Sequence, residues 1–480
     1  MTYEACIGLE VHVQLKTRSK MFCACSAEIG EAPNTHVCPV CLGYPGAMPS
    51  INRKAVELTV LTGLMVGARI GARSKFDRKS YFYPDMPKNY QISQYDQPLC
   101  IGGDVAIDWE GGEKRIALTR IHLEEDVGKS THFTGASGVD FNRAGVPLME
   151  IVTEPVIASP EEADAFLQVL RQMVRYAGVS DGNMEQGNIR CDVNCSLRPQ
   201  GETQLGSKAE IKNLNTFKGV LAALRYEIRR QTDVLESGGR VAMETRRWDG
   251  ESGTTASMRS KEEAHDYRYF PEPDLMPISL SHEEQAFLKT HVPELPRARR
   301  RRFCGEYGLP EYDSDVLTAD RAVADYFEAV ARASANPKAS SNWMMTEMLA
   351  KLSETGRSID ETPMKPRALA DLIAMVDRGA INMPTAKTLF AVLFEKGGDP
   401  AALVEADGLG QVEGASEIES MARRAVAEHA KSAADYRAGK SAALQFLVGQ
   451  VMRQSRGRAH PQKAAEALKK ILEGDKSDRF

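Results

Sequence analysis

Acidic residues and a histidine recur on stretches of this sequence that otherwise read as buried strands. In IGLEVHVQL (residues 7–15), Glu10 and His12 share one face and apolar side chains fill the other. Glu125 and Glu150 fall in phase with apolar neighbours, where an unpaired carboxylate is costly. These four side chains are candidate ligands of a divalent cation, and Mg²⁺ carrying a nucleotide phosphate is the expected ion. The alternative is a structural ion-pair network with Arg190, Arg143 or Lys208.

Four cysteines have the spacing of ligands of a structural zinc ion. A C-x-C pair and a C-x-x-C pair are separated by twelve residues, giving Cys23, Cys25, Cys38 and Cys41. Paired cysteines on two short knuckles can close a tetrahedral thiolate site, and four thiolates leave no position for water or substrate. The spacing therefore predicts structural Zn²⁺. Four reduced surface thiols are the alternative.

A floor of polar side chains is expected on the face of the sheet that carries Glu10 and His12. Alternation in NIRCDVNCSLR and KAEIKNL places charged and hydrogen-bonding groups on one side of each strand. A sheet that only faces water would carry a more dilute polar mixture, so this density favours a ligand-binding surface. The candidate floor residues are Arg190, Asp192, Asn194, Lys208, Glu210 and Lys212.

The elements that must position these groups are mixed α and β in the first part of the chain. Helices are predicted from Pro160, behind the N-cap Ser159, to Gly178 and over about 216–236. No Walker A or dinucleotide-binding motif follows a strand, so ATP would not bind on a P-loop or Rossmann frame. Strand-like alternation recurs at 5–15, 115–125, 147–153, 188–198 and 208–214.

Three domains are expected from the change in pattern along the chain. They are a catalytic domain over 1–292 that includes the zinc knuckle 23–41, a helical domain over 293–405 and a basic helical tail over 406–480. The net charge of −5 means that a nucleic acid would be held by local basic patches. The odd number of cysteines, the lack of a secretory signal and the lack of a long apolar run predict a cytoplasmic protein without a membrane partner.

Several long stretches occur in order along nearly the whole chain. They include KFDRKSYFYPDMPKNYQISQYD (75–96), HLEEDVGKSTH (122–132), DFNRAGVPLMEIVTEP (140–155) and GKSAALQFLVGQVMRQSRGRAHP (439–461). Together they resemble the B subunits of the aspartyl/glutamyl-tRNA(Asn/Gln) amidotransferases. The resemblance implies an α+β fold, with an N-terminal cradle like that of glutamine synthetase and the guanido kinases. This cradle has a mostly antiparallel sheet, and an all-α helical domain and a small all-α tail that binds tRNA follow it.

The resemblance also implies a carbon–nitrogen ligase that works as a heterotrimer with an amidase (A) subunit and a small C subunit. ATP would phosphorylate the side-chain carboxylate of misacylated Glu-tRNA(Gln) or Asp-tRNA(Asn), and ammonia from glutamine would then amidate it. Phosphoryl transfer needs charge neutralisation and alignment, which agrees with a magnesium site. A stand-alone ATP-dependent carboxylate–ammonia ligase and a non-catalytic RNA-binding scaffold are the alternatives.

Roles for further residues follow from the same resemblance. Glu10, His12, Glu125 and Glu150 match the family's metal-binding positions. Residues 79–90 would line the reaction chamber and the ammonia route, with Lys79 and Lys88 as catalytic candidates. Candidates for substrate or nucleotide binding, or equally for wall packing, are Tyr81, Tyr83, Asp85 and Tyr90. Basic tail residues would contact tRNA phosphates: Lys440, Arg453, Arg456 and Arg458.

Overall fold

The alternating residues near the start of the chain form a central strand, β1 (Tyr3–Gln14), as predicted. Its apolar face is completely buried, since Ile7, Leu9, Val11 and Val13 each have 0% exposure. A strand with one buried face holds its register firmly, because a slip of one residue would expose the whole apolar set. β1 is therefore a rigid base for the polar side chains on its other face.

The computed structural model describes residues 2–28, 30–260, 267–406, 415–455 and 459–474. The chain divides into two compact units, Met1–Pro296 and Arg297–Phe480. Among the helices of these described ranges, none combines the length and the apolar character needed to cross a membrane.

The first unit combines strands and helices. After β1, its strands are β2 (Arg69–Ile70), β3 (Asp77–Ser80), β4 (Tyr90–Ser93), β5 (Cys100–Ile101), β6 (Asp104–Trp109), β7 (Gly112–Glu125), β8 (Lys129–Phe133), β9 (Ala136–Asp140), β10 (Pro147–Thr153), β11 (Ile189–Pro199), β12 (Ala209–Lys212), β13 (Glu244–Asp249), β14 (Thr254–Ser260) and β15 (Phe270–Pro271). Its helices are α1 (Arg53–Met65), α2 (Pro160–Tyr176), α3 (Phe217–Glu236) and α4 (His282–Thr290).

A ten-stranded sheet organises this unit, in the order β14-β13-β12-β11-β1-β10-β7-β5-β2, with β6 paired to β7. Its neighbouring strands are antiparallel, except for the parallel pair β12 and β13. His12 lies opposite Glu150 on β10 and Arg190 on β11, and Glu150 lies opposite His122 on β7. The register therefore aligns polar side chains from four adjacent strands.

Helices α2 and α3 pack against each other beside this sheet, and α3 contacts β11. The predicted first cap is confirmed, because Ser159 Oγ accepts a hydrogen bond from Glu162 N at 3.1 Å. Phe166 and Val174 of α2 are fully buried in the apolar core that also contains the apolar face of β1. A separate three-stranded sheet has the order β15-β3-β4, and its strand β4 contacts β7.

The regular elements of the second unit, within the described residues, are helical. Its α-helices are α5 (Pro296–Glu306), α6 (Glu311–Leu317), α7 (Arg321–Ser334), α8 (Pro337–Trp343), α9 (Leu349–Thr355), α10 (Pro366–Asp377), α11 (Met383–Lys396), α12 (Pro400–Ala406), α13 (Ala415–Glu428), α14 (Ala430–Arg437), α15 (Ala442–Gln454) and α16 (Pro461–Gly474). A π-helical turn (Met344–Met348) and a 3₁₀ turn (Ile359–Glu361) complete the set.

Two separate apolar cores lie within these helices. Phe327 and Phe390 belong to a core built from residues between Phe303 and Phe394, whereas Leu447 belongs to a core built from residues between Ile418 and Leu472. An N-terminal sheet unit followed by helices agrees with the mixed α and β class expected from the sequence. The division at 292 and 405 into three domains stays a prediction.

Candidate metal and substrate site

Two carboxylates and one imidazole converge where β1, β7 and β10 lie side by side. His12 Nε2 is 3.3 Å from Glu150 Oε2 and 3.6 Å from Glu124 Oε1. One ligand atom from each of these three residues lies within 4.8 Å of the others. Glu124 and Glu150 are buried, and His12 is nearly so. Two buried carboxylates this close are costly unless positive charge neutralises them, and the donor set fits a divalent ion.

The charge on the His12 imidazole depends on its burial and on the two neighbouring carboxylates. Burial favours the neutral imidazole, but the hydrogen bond to Glu150 and the charge of Glu124 outweigh burial and raise the pKa of His12 to about 9. At neutral pH, without a metal, His12 is thus an imidazolium paired with carboxylates. A metal ion that binds Nε2 must displace one proton.

The structure adds His122 and Glu124 to the residues expected at this position. His122 Nε2 lies 3.5 Å from Glu150 Oε2 and 3.9 Å from Glu124 Oε2, while its Nδ1 faces Arg120 Nε at 3.4 Å. Burial lowers the pKa of His122, so the neutral ring can direct an Nε2 proton at the two carboxylates. The signal was present in the sequence, because His122 and Glu124 alternate in the same two-residue period as Glu10 and His12.

Lys79 of β3 is the cation beside this group. Burial favours its neutral amine, but Glu124, Tyr269 and Glu150 raise its pKa above the ordinary value. Its Nζ lies 5.2 Å from the centroid of the Tyr267 ring, which also makes an edge contact with Tyr81 at 6.2 Å. Lys79 and Tyr81 thus both contact the Tyr267 ring, and their place in a reaction chamber stays a prediction.

The remaining residues expected between positions 79 and 90 are spread out. Tyr83 is 60% exposed. Asp85 is half-buried, and its backbone oxygen accepts a hydrogen bond from Gly128 N at 2.9 Å. Tyr90 stacks beneath the Arg78 guanidinium at 4.3 Å. Arg78 in turn is held by Glu272, and the Tyr90 ring centroid also lies 5.7 Å from Lys88 Nζ.

Glu125, one of the four expected metal ligands, does not join His12 and Glu150. Its carboxylate pairs with Lys88 Nζ, and Glu125 Oε1 accepts a hydrogen bond from Ile92 N at 2.9 Å. Glu125 was expected to need a metal ion because its phase places it among apolar side chains. Lys88, distant in sequence, supplies the positive charge, so the buried carboxylate is satisfied without a metal.

Glu10 also lies outside the three-residue group and belongs to a neighbouring polar network. Glu10 Oε1 accepts a hydrogen bond from Asn194 Nδ2 at 2.8 Å. Lys212 Nζ lies 2.9 Å from Asp192 Oδ2 and 3.4 Å from Glu210 Oε1. Four of the six expected floor residues thus belong to two polar groups on adjacent strands, Asn194 with Glu10 and Lys212 with Asp192 and Glu210. Lys208, just before β12, is half-buried.

The alternative ion-pair network exists, but it is centred on a different carboxylate. Arg190 Nη2 donates to Asp126 Oδ1 at 2.7 Å, and Arg143 Nε lies 3.4 Å from Asp126 Oδ2. Asp126 is buried, so both arginines satisfy its charge. Among the ion pairs of the described residues, these two arginines do not contact Glu124 or Glu150.

The four cysteines of the knuckle gather at one point. One sulfur from each of Cys23, Cys25, Cys38 and Cys41 lies within 4.8 Å of the others. A hydrogen bond from Cys23 lowers the pKa of the Cys41 thiol to about 4, and the nearby Lys20 ammonium acts in the same direction. Four cysteine sulfurs gathered at one point are the donor set that tetrahedral zinc sites use.

The expected tRNA contacts of the tail are only partly within the described residues. Lys440 is exposed, and its Nζ lies 2.9 Å from Asp435 Oδ1. Arg453 is exposed in the last turn of α15. Arg456 and Arg458 lie outside the described residues.

Comparison with known proteins assigns the chain to a family. Residues 5–286 match the family model described as the GatB/GatE catalytic domain, and residues 325–472 match the model described as the GatB domain. The B subunit of the aspartyl/glutamyl-tRNA(Asn/Gln) amidotransferase from Thermoanaerobacter pseudethanolicus is 50% identical over 473 residues, which cover 98% of this chain and 100% of the relative.

Other relatives carry the same name. The B subunit from Caldanaerobacter subterraneus subsp. tengcongensis is 51% identical over 473 residues, covering 98% of this chain and 100% of the relative. The B subunit from Methylacidiphilum infernorum is 50% identical over 484 residues, covering 98% and 99%. The two domain matches and about 50% sequence identity over nearly the whole chain point to the same family. The chain belongs to the family of the B subunits of the aspartyl/glutamyl-tRNA(Asn/Gln) amidotransferases.

Proposed function

We propose that this chain binds Glu-tRNA(Gln) or Asp-tRNA(Asn), activates the side-chain carboxylate with ATP and amidates it with ammonia. A carboxylate is a poor acyl electrophile because its leaving group would be oxide. Transfer of the γ-phosphoryl group to the carboxylate provides a phosphate leaving group, which ammonia then displaces as the amide bond forms. The convergence of His12, Glu124 and Glu150 beside Lys79 is the observation that carries this proposal.

His12, Glu124 and Glu150 would hold Mg²⁺, which supplies neutralisation of phosphate charge in this reaction. Neutral His122 would help to orient Glu150, because its Nε2 lies 3.5 Å from Glu150 Oε2. Lys79 stays charged beside them and can contact a phosphoryl oxygen directly. The chain's own groups thus align the reactants and stabilise charge, and none of them needs to form a covalent bond.

The polar network around Glu10 is proposed as the floor for substrate or nucleotide. Lys212 pairs with Asp192 and Glu210, and Asn194 donates to Glu10, so a ligand would exchange hydrogen bonds with a preorganised surface. The aromatic wall formed by Tyr81 and its neighbours offers ring faces on which a terminal base can stack. Lys88 and Glu125 are proposed to act on the ammonia route.

The proposal also includes the domains of the chain, its partner subunits and its zinc ion. We expect a cradle like that of glutamine synthetase and the guanido kinases over 1–292, a helical domain over 293–405 and a tRNA-binding tail over 406–480. An amidase subunit would supply ammonia from glutamine, and a small C subunit would join the two. Zn²⁺ would occupy the four-cysteine site. Because the substrate is an aminoacylated tRNA, we expect the reaction to take place in the cytoplasm.

One assay tests the proposed function. The chain is co-expressed with amidase and small subunits and incubated with Glu-tRNA(Gln) or Asp-tRNA(Asn), ATP and Mg²⁺. Glutamine is the donor in one arm and ammonium chloride in the other, and free glutamate or aspartate replaces the tRNA in a third. We expect Gln-tRNA or Asn-tRNA in the first two arms and no product in the third. Absence of amidated tRNA with both substrates and both donors would overturn the proposal.

A further inference from the structure

The four-cysteine loop and the Lys88–Glu125 ion pair share one pocket of about 50 Å³. Cys23, Cys41 and Gly43 are among its lining residues on the loop, and Lys88, Glu125 and Gly145 are among those from other segments. The thiolate site therefore forms part of the wall around a buried ion pair. The four-cysteine loop and the Lys88–Glu125 pair, which are far apart in the sequence, are therefore neighbours in the structure.

Backbone contact between the loop and Lys88 is direct. The turn that follows the second pair of cysteines continues through Gly43, whose N–H donates to Val40 O at 3.0 Å. Gly43 has φ of +70°, and a Cβ added there would overlap Lys88 Cγ and lie 3.1 Å from Lys88 Cα. Only a residue without a side chain lets the loop rest on the lysine stem in this way.

The loop is also fixed from the opposite side. Lys20 is fully buried, and its ammonium donates to His36 O at 2.7 Å and to Phe141 O at 3.1 Å while lying 3.6 Å from Cys41 Sγ. A Cβ added at Gly145 would lie 3.5 Å from Cys41 Cβ and 3.8 Å from Glu125 Oε2. Gly145 thus lies next to both Cys41 and Glu125.

We propose that the metal-loaded four-cysteine loop positions the Lys88–Glu125 pair, so that loss of the metal releases Lys88 from its place. Three of the four cysteines are only partly buried, which leaves the loop little core of its own to keep its shape without a cross-link. Gly43 is then a positioning residue that transmits the geometry of the loop to Lys88. This inference depends on the proposed function in one respect only, which is the role of Lys88 in amidation.

Lysine accessibility tests the coupling without an activity measurement. Full-length chain is prepared anaerobically with zinc, or stripped with a chelator, and treated with an amine-acylating reagent before mass spectrometry. Lys88 has a side chain only 8% exposed with the loop in place, so its labelling should rise several-fold in the metal-free protein. Lys54 in α1 is exposed and reports reagent activity, and Lys79 reports the integrity of the neighbouring site.

Each outcome decides the proposal. A rise at Lys88 with constant labelling of Lys79 supports it. Equal labelling of Lys88 in both preparations overturns the proposal, because the metal then does not keep Lys88 in its ion pair. A parallel rise at Lys79 also overturns it, because the metal then stabilises the whole domain and not this contact.

A glycine pair on the same loop provides a matched genetic test. Gly43 and Gly46 both have positive φ, of +70° and +82°, but a Cβ at Gly46 meets nothing within 4 Å. In zinc-replete enzyme, Gly43→Ala should raise the KM for ammonium severalfold and increase Lys88 labelling, while Gly46→Ala should do neither. In a Lys88→Ala background, Gly43→Ala should have no further effect on the KM.

The two proposals fail in different ways. If the parent heterotrimer amidates tRNA but Gly43→Ala behaves like Gly46→Ala in both readouts, the inference is wrong and the proposed function stands. If the parent forms no amidated tRNA, the proposed function is wrong, and lysine labelling still decides whether the loop holds Lys88.

Discussion

Glu124 and Glu125 are adjacent on β7, yet their carboxylates have different partners, which permits a sharp test of the site. Glu124 lies 3.6 Å from His12 in the proposed metal group, whereas Glu125 pairs with Lys88. We predict that Glu124→Gln strongly slows ATP-dependent activation of the tRNA-bound carboxylate. Glu125→Gln should retain activation and impair the use of ammonia.

The magnitude follows from the loss of one charge next to a cation. Two unit charges about 4 Å apart interact with about 4 kcal/mol at an effective dielectric constant near 20. If that stabilisation is realised in the transition state, its loss slows activation on the order of 10³-fold. Ser93 Oγ, 3.2 Å from Glu124 Oε2, can still donate to the glutamine carbonyl, so the fold should survive the change.

The assay is single-turnover ADP formation with misacylated tRNA and no amide donor, followed by addition of ammonium chloride. Glu154→Gln is the matched control, because Glu154 follows β10 and accepts a hydrogen bond from Thr119 without entering the proposed site. Thermal unfolding and tRNA binding are measured in parallel. Activation by Glu124→Gln within tenfold of the parent, in folded protein that binds tRNA, would refute the assignment of Glu124.

Three further predictions concern pH, zinc and tRNA. The His12 pKa of about 9 means that metal binding displaces a proton below that pH. The apparent Mg²⁺ affinity should therefore rise about tenfold per unit from about pH 7 and level off near pH 9, and a pH-independent affinity by calorimetry would contradict this. Anaerobically prepared protein should contain one zinc ion per chain, and Cys38→Ser should lower both the zinc content and the Tm. Absence of zinc from the parent protein would refute the proposed zinc site. Lys440→Ala and Arg453→Ala should each weaken the salt dependence of tRNA binding, reducing the slope of log affinity against log salt concentration by about 1. Lys396→Ala, which removes the same charge elsewhere, is the control. Unchanged slopes would exclude phosphate contacts at Lys440 and Arg453.

Local pattern predicted the frame of the site well. The two-residue period of β1 and the Ser159 cap of α2 are both local signals, and burial and hydrogen bonding in the structure confirm them. The same period also contains His122 and Glu124. The prediction selected Glu125 instead, because a carboxylate in phase with apolar neighbours is the more costly one to bury.

Local pattern could not show contacts with partners that are distant in sequence. Nothing local to Glu125 shows that Lys88 neutralises it, and nothing local to Glu10 shows that Asn194 binds it. The small sheet was also not predicted, because its strand β15 has only two residues and pairs with β3 almost two hundred residues earlier. Such short strands carry no measurable period and depend on tertiary contacts.

The central claim is that His12, Glu124 and Glu150 hold the cation that accompanies ATP. Mn²⁺ in place of Mg²⁺ makes the site visible to pulsed electron paramagnetic resonance, with ATP bound to the full heterotrimer. We predict coupling of Mn²⁺ to one imidazole nitrogen and to ATP phosphorus, with the nitrogen signal lost in His12→Ala. Phosphorus coupling without any histidine nitrogen, or a nitrogen signal that persists in His12→Ala, would contradict it.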